Sequence, residues 1–115
     1  MNYKEQENKT IIVKEKGKIH QIHVENIMYV IIDTYLLTIH FANDKKSITL
    51  SKSLKNIEIE LQDYFFFKIH QSVLINLKHV TSIKKDSFHY VLLKNDVKLY
   101  FSRRKWAEFN KHDYF

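Results

Sequence analysis

The chain's two arginines are neighbours, Arg103 and Arg104, in the run Ser102-Arg103-Arg104-Lys105. A guanidinium donates hydrogen bonds in a planar fork. That fork fits a phosphate or the O6/N7 edge of guanine, so arginines held in place recognise anions or base edges. The run sits in a wider concentration of charge. From Tyr64 to Lys105 there are nine Lys or Arg against Asp86 and Asp96, which is +7 in 42 residues, while the rest of the chain contributes −1 to the net +6. Lys, Asn, Ile, Tyr and Phe are abundant, as AT-rich coding produces, but a uniform bias does not gather charge into one stretch. The plain alternative is a solvated helix start. The apolar run 97–101 ends where the basic run begins, which anchors it, and a clustered, anchored basic patch is the footprint of a nucleic-acid binder.

Other chemistries fare worse. The chain has no Cys and one Gly. Disulfides, zinc-thiolate sites, glycine-rich phosphate loops and a G-x-S-x-G elbow are therefore excluded. Seven His invite a metal reading. The pair His20 and His23 lies on a strand-like segment, where positions i and i+3 face opposite ways. No other His pair comes with a Cys or a close carboxylate partner in sequence, so no metal, no cofactor and no catalytic residue is expected, and the protein reads as a non-enzyme. Glu58 and Glu60 fall on a helical segment as a solvated face. Phe65-Phe66-Phe67 could stack bases, but core packing is the stronger reading because Phe is mostly buried.

The elements that must position these residues are mostly short strands. Segments 10–14 and 19–24 flank Lys16-Gly17-Lys18, a hairpin signal. The unbroken apolar run 27–32 predicts a buried central strand. After Asp33-Thr34, residues 35–41 alternate, and 45–50 returns after Asn43-Asp44. Ser51 or Ser53 caps a helix to about Gln62, with Leu54, Ile57 and Leu61 on one face. Strands follow at 65–69, 80–84, 89–93 and 97–101, with 73–76 as a short apolar stretch between loops and Asn95-Asp96 as a two-residue turn. Residues 103–112 form a second short helix. The fold expected is mainly β: elongated, sandwich-like antiparallel sheets with one or two short helices. Residues 1–9 read as frayed and 10–115 as a single domain. No signal peptide or apolar membrane span is present in the sequence, which with zero Cys reads as a cytoplasmic, bacterial protein with no membrane partner.

One stretch is more specific. Phe67-Lys68-Ile69-His70-Gln71-Ser72-Val73-Leu74-Ile75-Asn76-Leu77-Lys78-His79-Val80 resembles the central signature of LytTR-type DNA-binding domains, roughly F-x-R-[ICV]-H-[RNK]-S-[FY]-[LI]-[VI]-N. Ile27-Met28-Tyr29 resembles the family's I-x-[YF] strand. The 52–62 helix falls where the family has its leucine-rich helix, and Leu99-Tyr100-Phe101-Ser102-Arg103-Arg104 resembles its strand ending in S-R-R. The likeness covers about residues 17–112.

The resemblance implies a mostly β transcription-factor domain that inserts loops into successive major grooves of double-stranded DNA, commonly at imperfect direct repeats. In this chain the loops are Asp33-Thr34-Tyr35, His70-Gln71-Ser72 and Ser102 to Lys105. Gln71 suits adenine N6/N7 and Arg104 guanine O6/N7, with Tyr35 as a further base contact through sugar or thymine methyl. Thr34, Lys68, His70, Ser72, Lys78, Ser102, Arg103 and Lys105 position the backbone. His70 and Asn76 brace loop backbone. Three departures stand out: Gln71 where the family has Arg, Lys or Asn, Tyr35 where it has His or a polar residue, and Lys68 for Arg. Only about ten residues precede the first strand. A receiver domain does not fit there, so the sequence suits either a stand-alone regulator or the DNA-binding part of a longer one with an upstream receiver or kinase. Direct repeats imply two copies in the same orientation on DNA. The open alternative is a β-rich protein-interaction or single-stranded nucleic-acid-binding module.

Overall fold

The structure is a computed structural model that describes residues 3–85 and 87–111. Among the described residues, ten strands and two α-helices follow one another. Strands β1 (Thr10–Glu15) and β2 (Lys18–His23) form a hairpin. Its two-residue turn is closed by Gly17 at φ +69°, a conformation that costs glycine little. Next come β3 (Ile27–Asp33), β4 (Leu36–Phe41), β5 (Ile48–Leu50), α1 (Leu54–Leu61), β6 (Phe66–His70) and β7 (Val73–Asn76). The described residues close with β8 (Val80–Lys85), β9 (His89–Leu93), β10 (Lys98–Tyr100) and α2 (Arg103–Lys111).

A five-stranded antiparallel sheet of order β5-β4-β3-β7-β6 is the middle layer. One face carries Val30, Leu37, Ile39, Leu50, Phe66 and Leu74 against Val13 and Ile22 of the β1–β2 hairpin and Leu54, Ile57 and Leu61 of α1. The other face carries Met28, Phe67, Ile69, Val73 and Ile75 against Val91 and Leu93 of the β10-β9-β8 sheet and Phe109 of α2. Covering both faces explains why Val73-Leu74-Ile75-Asn76 shows no polar alternation: all four residues are buried. Sequence places this stretch between loops. It is in fact an inner strand, pairing Tyr29 with Ile75 on one side and Phe67 with Ile75 on the other. The long axis is 44 Å. Accessible surface is 7595 Å², above the roughly 6,700 Å² of an average fold of this mass, as an elongated shape requires.

Smaller differences have local causes. β5 covers only Ile48–Leu50 of the 45–50 segment. The Asn95-Asp96 turn is one residue longer than expected: Asp96 N–H donates to Leu93 O (2.9 Å) and Asp96 sits at φ +66°, in the place glycine usually takes in a three-residue hairpin loop. Of the stretch read as frayed, residues 3–9 have no helix or strand, yet they are tied down. Gln6 is 5% exposed and bonded to Asn76, Lys4 N–H donates to Asp63 O, and Val24 N–H donates to Lys9 O. The last residue expected in the second helix, at 112, lies outside the described residues.

Candidate nucleic-acid interface

Antiparallel pairing decides which turns meet. β3 runs into the Thr34-Tyr35 turn, β7 leaves the Gln71-Ser72 turn, and the pairing of Ile31 with Val73 sets the two side by side. Ile32 N–H donates to Ser72 O at 3.0 Å and locks them together. Ser102 N–H donates to Ile69 O at 2.8 Å, which brings the start of α2 to the same end of the sheet. Three segments separated by more than thirty residues in sequence thus form one surface.

Each turn is shaped from within. Thr34 lies at φ +58°, an uncommon state for a β-branched residue, and leaves Tyr35 79% exposed at the turn's tip. Ser72 N–H donates to His70 Nδ1 at 3.2 Å, and Ser72 Oγ lies 3.1 Å from the same atom. With Nδ1 accepting, the neutral ring carries its proton on Nε2, which is left as a donor beside the turn. Ser102 caps α2: its Oγ accepts from Lys105 N at 3.2 Å, and its carbonyl accepts from Trp106 N–H at 2.8 Å. Behind β7, Asn76 is fully buried. Its amide donates to Gln6 Oε1 and Ile27 O and accepts from Gln6 Nε2 and Lys78 N–H. His70 thus holds the N–H of Ser72 within its own turn, and Asn76 holds Ile27 O and Lys78 N–H at the other end of β7.

Lys68, His70, Gln71, Ser102, Arg104 and Lys105 line one cleft. Thr34 and Tyr35 line another with Ile32, Ser51, Lys52 and Ser53. Arg103 turns away from Arg104, as consecutive helical residues do, and lines a cleft with Phe88, His89 and Trp106. Lys78 is not brought to this end. It follows β7 at the far side from Gln71, beyond about 13 Å of strand, where it lies 4.0 Å from Glu25 and beside Tyr3 to Gln6. Its adjacency to the signature in sequence is not adjacency in space.

Three residues near the site were not assigned to it from the sequence. Lys52 joins the Tyr35 cleft. Ser53 joins it as the cap of α1, accepting from Asn56 N–H at 3.3 Å; the cap is legible, its position is not. Glu58, read as solvated, lies 3.7 Å from Lys68 because α1 packs near β6. Lys105 is likewise 3.3 Å from Glu108. The Phe triplet packs in the core: Phe66 and Phe67 are buried and Phe65 is half-buried at φ +69°. His20 Nε2 lies 2.8 Å from Glu15 Oε1. Away from the interface, burial lowers the pKa of His40 and His79 and raises that of Tyr29. Among the described residues no three or more His, Asp or Glu cluster as metal ligands, and no helix is long and apolar enough to cross a membrane.

A β scaffold that gathers turns and a helix start into one basic, polar surface is suited to a nucleic-acid-binding domain. Residues 17–112 match the LytTr DNA-binding domain, and the chain belongs to that family. It is 30% identical over 105 residues to the transcriptional regulatory protein LytR of Staphylococcus aureus strains N315 and COL, covering 89% of this chain but 42% of that protein. In structure it resembles the LytTr DNA-binding domain of a methyl-accepting/DNA response regulator from Bacillus cereus. The TM-score is 0.75 at 19% identity, over 89% of this chain and 94% of the other. That likeness establishes the fold.

Proposed function

We propose that this domain reads double-stranded DNA in a sequence-specific way by inserting its turns into the major groove, and that it acts in the cytoplasm of a bacterium as a transcriptional regulator. The observation that carries this reading is the Ser102–Ile69 hydrogen bond, which puts Arg104 and Gln71 in one cleft. A guanine reader and an adenine reader side by side discriminate bases, whereas lysines alone do not. Arg104 and Gln71 take base edges, and Tyr35 takes sugar or a thymine methyl. Lys68, Lys105, Arg103, Thr34, His70, Ser72 and Ser102 hold phosphate or shape the turns. Lys78, at the opposite end, has no part. The domain's turns face successive major grooves on one side of the duplex. Two copies in the same orientation fill imperfect direct repeats. The chain spans 42% of the S. aureus relatives it matches, and in a longer regulator an upstream receiver or a kinase would control these loops.

The test is competition between duplex and single strands of one sequence across a salt series. The proposal expects duplex to win, with log K falling by about 0.9 per log unit of salt for each phosphate neutralised. Preference for the single strand would instead favour stacking on exposed aromatics.

A further inference from the structure

The β1–β2 hairpin carries Lys14, Lys16 and Lys18 at its turn end, all exposed. They line a cleft with Glu15, Leu36, Thr49, Leu50 and Ser51. Leu36 directly follows Tyr35, and Ser51 also lines the cleft of Thr34, Tyr35 and Lys52. The hairpin turn is therefore continuous with the base-reading surface, although some fifty residues or more separate its lysines from Gln71 and Arg104. Glu15 is the one acid in the cleft, and its carboxylate is engaged by His20 Nε2 at 2.8 Å. Among the described residues, none of Lys14, Lys16, Lys18 or Lys52 has a carboxylate within 4 Å, in contrast to Lys68 and Lys105.

Unpaired ammonium groups that share a surface with base readers suit a polyanion, because each phosphate they neutralise releases condensed counterions. We infer that the β1–β2 hairpin is a fourth duplex contact, in which Lys16 and Lys18, supported by Lys14 and Lys52, hold the phosphate backbone flanking the bases faced by the Thr34-Tyr35 turn. This inference rests on the duplex-reading function proposed above. The contact is independent of sequence, since a lysine on a flexible stem acts as a point charge and not as a base reader. It adds footprint and salt dependence and leaves base choice to Gln71 and Arg104.

The experiment compares K16Q/K18Q with K45Q/K46Q on the duplex preferred by the wild type. Lys45 and Lys46 follow β4 at the opposite end of the sheet from Tyr35, so the two variants lose equal charge at different places. Binding is measured across a salt series, with hydroxyl-radical footprinting and thermal melting as a check on folding. For K16Q/K18Q the salt slope is expected to fall by up to roughly 1.8, about 0.9 per lost phosphate contact. Protection should shorten on one flank with base preference unchanged, and K45Q/K46Q should match the wild type. Unchanged slope and protection in K16Q/K18Q would overturn the hairpin contact alone. Equal losses in both variants would reduce it to a net-charge effect and overturn it too. A wild type with no preferred duplex would overturn the function on which it rests.

Discussion

Asn76→Ala is the sharpest probe of how the N-terminal segment is pinned to the end of β7. Four hydrogen bonds end on this amide: Nδ2 donates at 2.9 Å to Gln6 Oε1 and at 2.9 Å to Ile27 O, while Oδ1 accepts from Gln6 Nε2 at 2.9 Å and from Lys78 N–H at 3.0 Å. After truncation Gln6 Nε2 keeps the carbonyl of Tyr64, and the part-buried Lys78 N–H can reach water. Ile27 O and Gln6 Oε1 lose their bonds to Asn76 in a buried setting, at about 1–3 kcal/mol each. The expected loss is about 4 kcal/mol, a large share of the 5–15 kcal/mol that holds an ordinary domain together. For a chain of this length it lowers Tm by about 15 °C. Thermal melting followed by circular dichroism reads it directly. A double-mutant cycle sharpens the test. Gln6→Ala should cost about 1–2 kcal/mol less in the Asn76→Ala background than alone, because the two amides share two bonds. Below the melting range base preference should persist, since Asn76 lies at the other end of β7 from Gln71. A Tm drop under about 4 °C, or strict additivity with Gln6→Ala, would refute the pin.

Three further outcomes are expected. Glu58→Gln releases Lys68 from a half-buried pair at 3.7 Å; duplex binding should tighten up to about fivefold at low salt, and the gain should vanish at high salt in a binding titration. Ser102→Ala removes the cap on Lys105 N–H; it should cost about 1 kcal/mol in urea unfolding and weaken duplex binding, because Arg104 sits in the first turn of α2. Stability should fall as pH drops through the ordinary histidine range near 6.5. Burial depresses His79 and His40 in the folded state, so below that range the unfolded chain binds protons that the folded chain refuses. In His79 the Nε2 nitrogen is 2.7 Å from Glu25 O while Nδ1 is buried without a partner, so the acid-side slope of Tm against pH should flatten in His79→Gln.

What the sequence revealed was local. Alternation put Tyr35, Leu37, Ile39 and Phe41 on one face; Leu37, Ile39 and Phe41 are buried in β4, while Tyr35 precedes the strand and is exposed. Ser51 or Ser53 announced the start of α1, and of the two Ser53 is the cap; residues from 103 onward announced α2. The motif likeness marked the turns at 34–35 and 71–72 and the Ser102 segment, and pairing sets them at one end of one sheet. What stayed hidden depends on contacts remote in sequence. Val73 to Asn76 looks like loop-bounded apolar chain until β3 and β6 are known to flank it. Lys78 looks like part of the site because it is close in sequence, while Lys14, Lys16, Lys18 and Lys52 look unrelated because they are not. A linear charge count sees the +7 half of the chain, yet only folding carries the hairpin lysines to the same end. Gln6, in a polar leader, gives no sign that it completes the hydrogen bonding of Asn76.

Arg104 and Gln71 are proposed to read bases together in duplex DNA. Selection of binding sites from a random duplex library, run in parallel with wild type, Arg104→Ala and Gln71→Ala, tests it most directly. Enriched direct repeats are expected with the wild type. Each variant should lose about 5–150-fold in affinity, equivalent to about 1–3 kcal/mol, and relax preference at one position of each repeat. Uniform, salt-sensitive retention of all sequences by the wild type, or identical enriched sites in all three proteins, would contradict it.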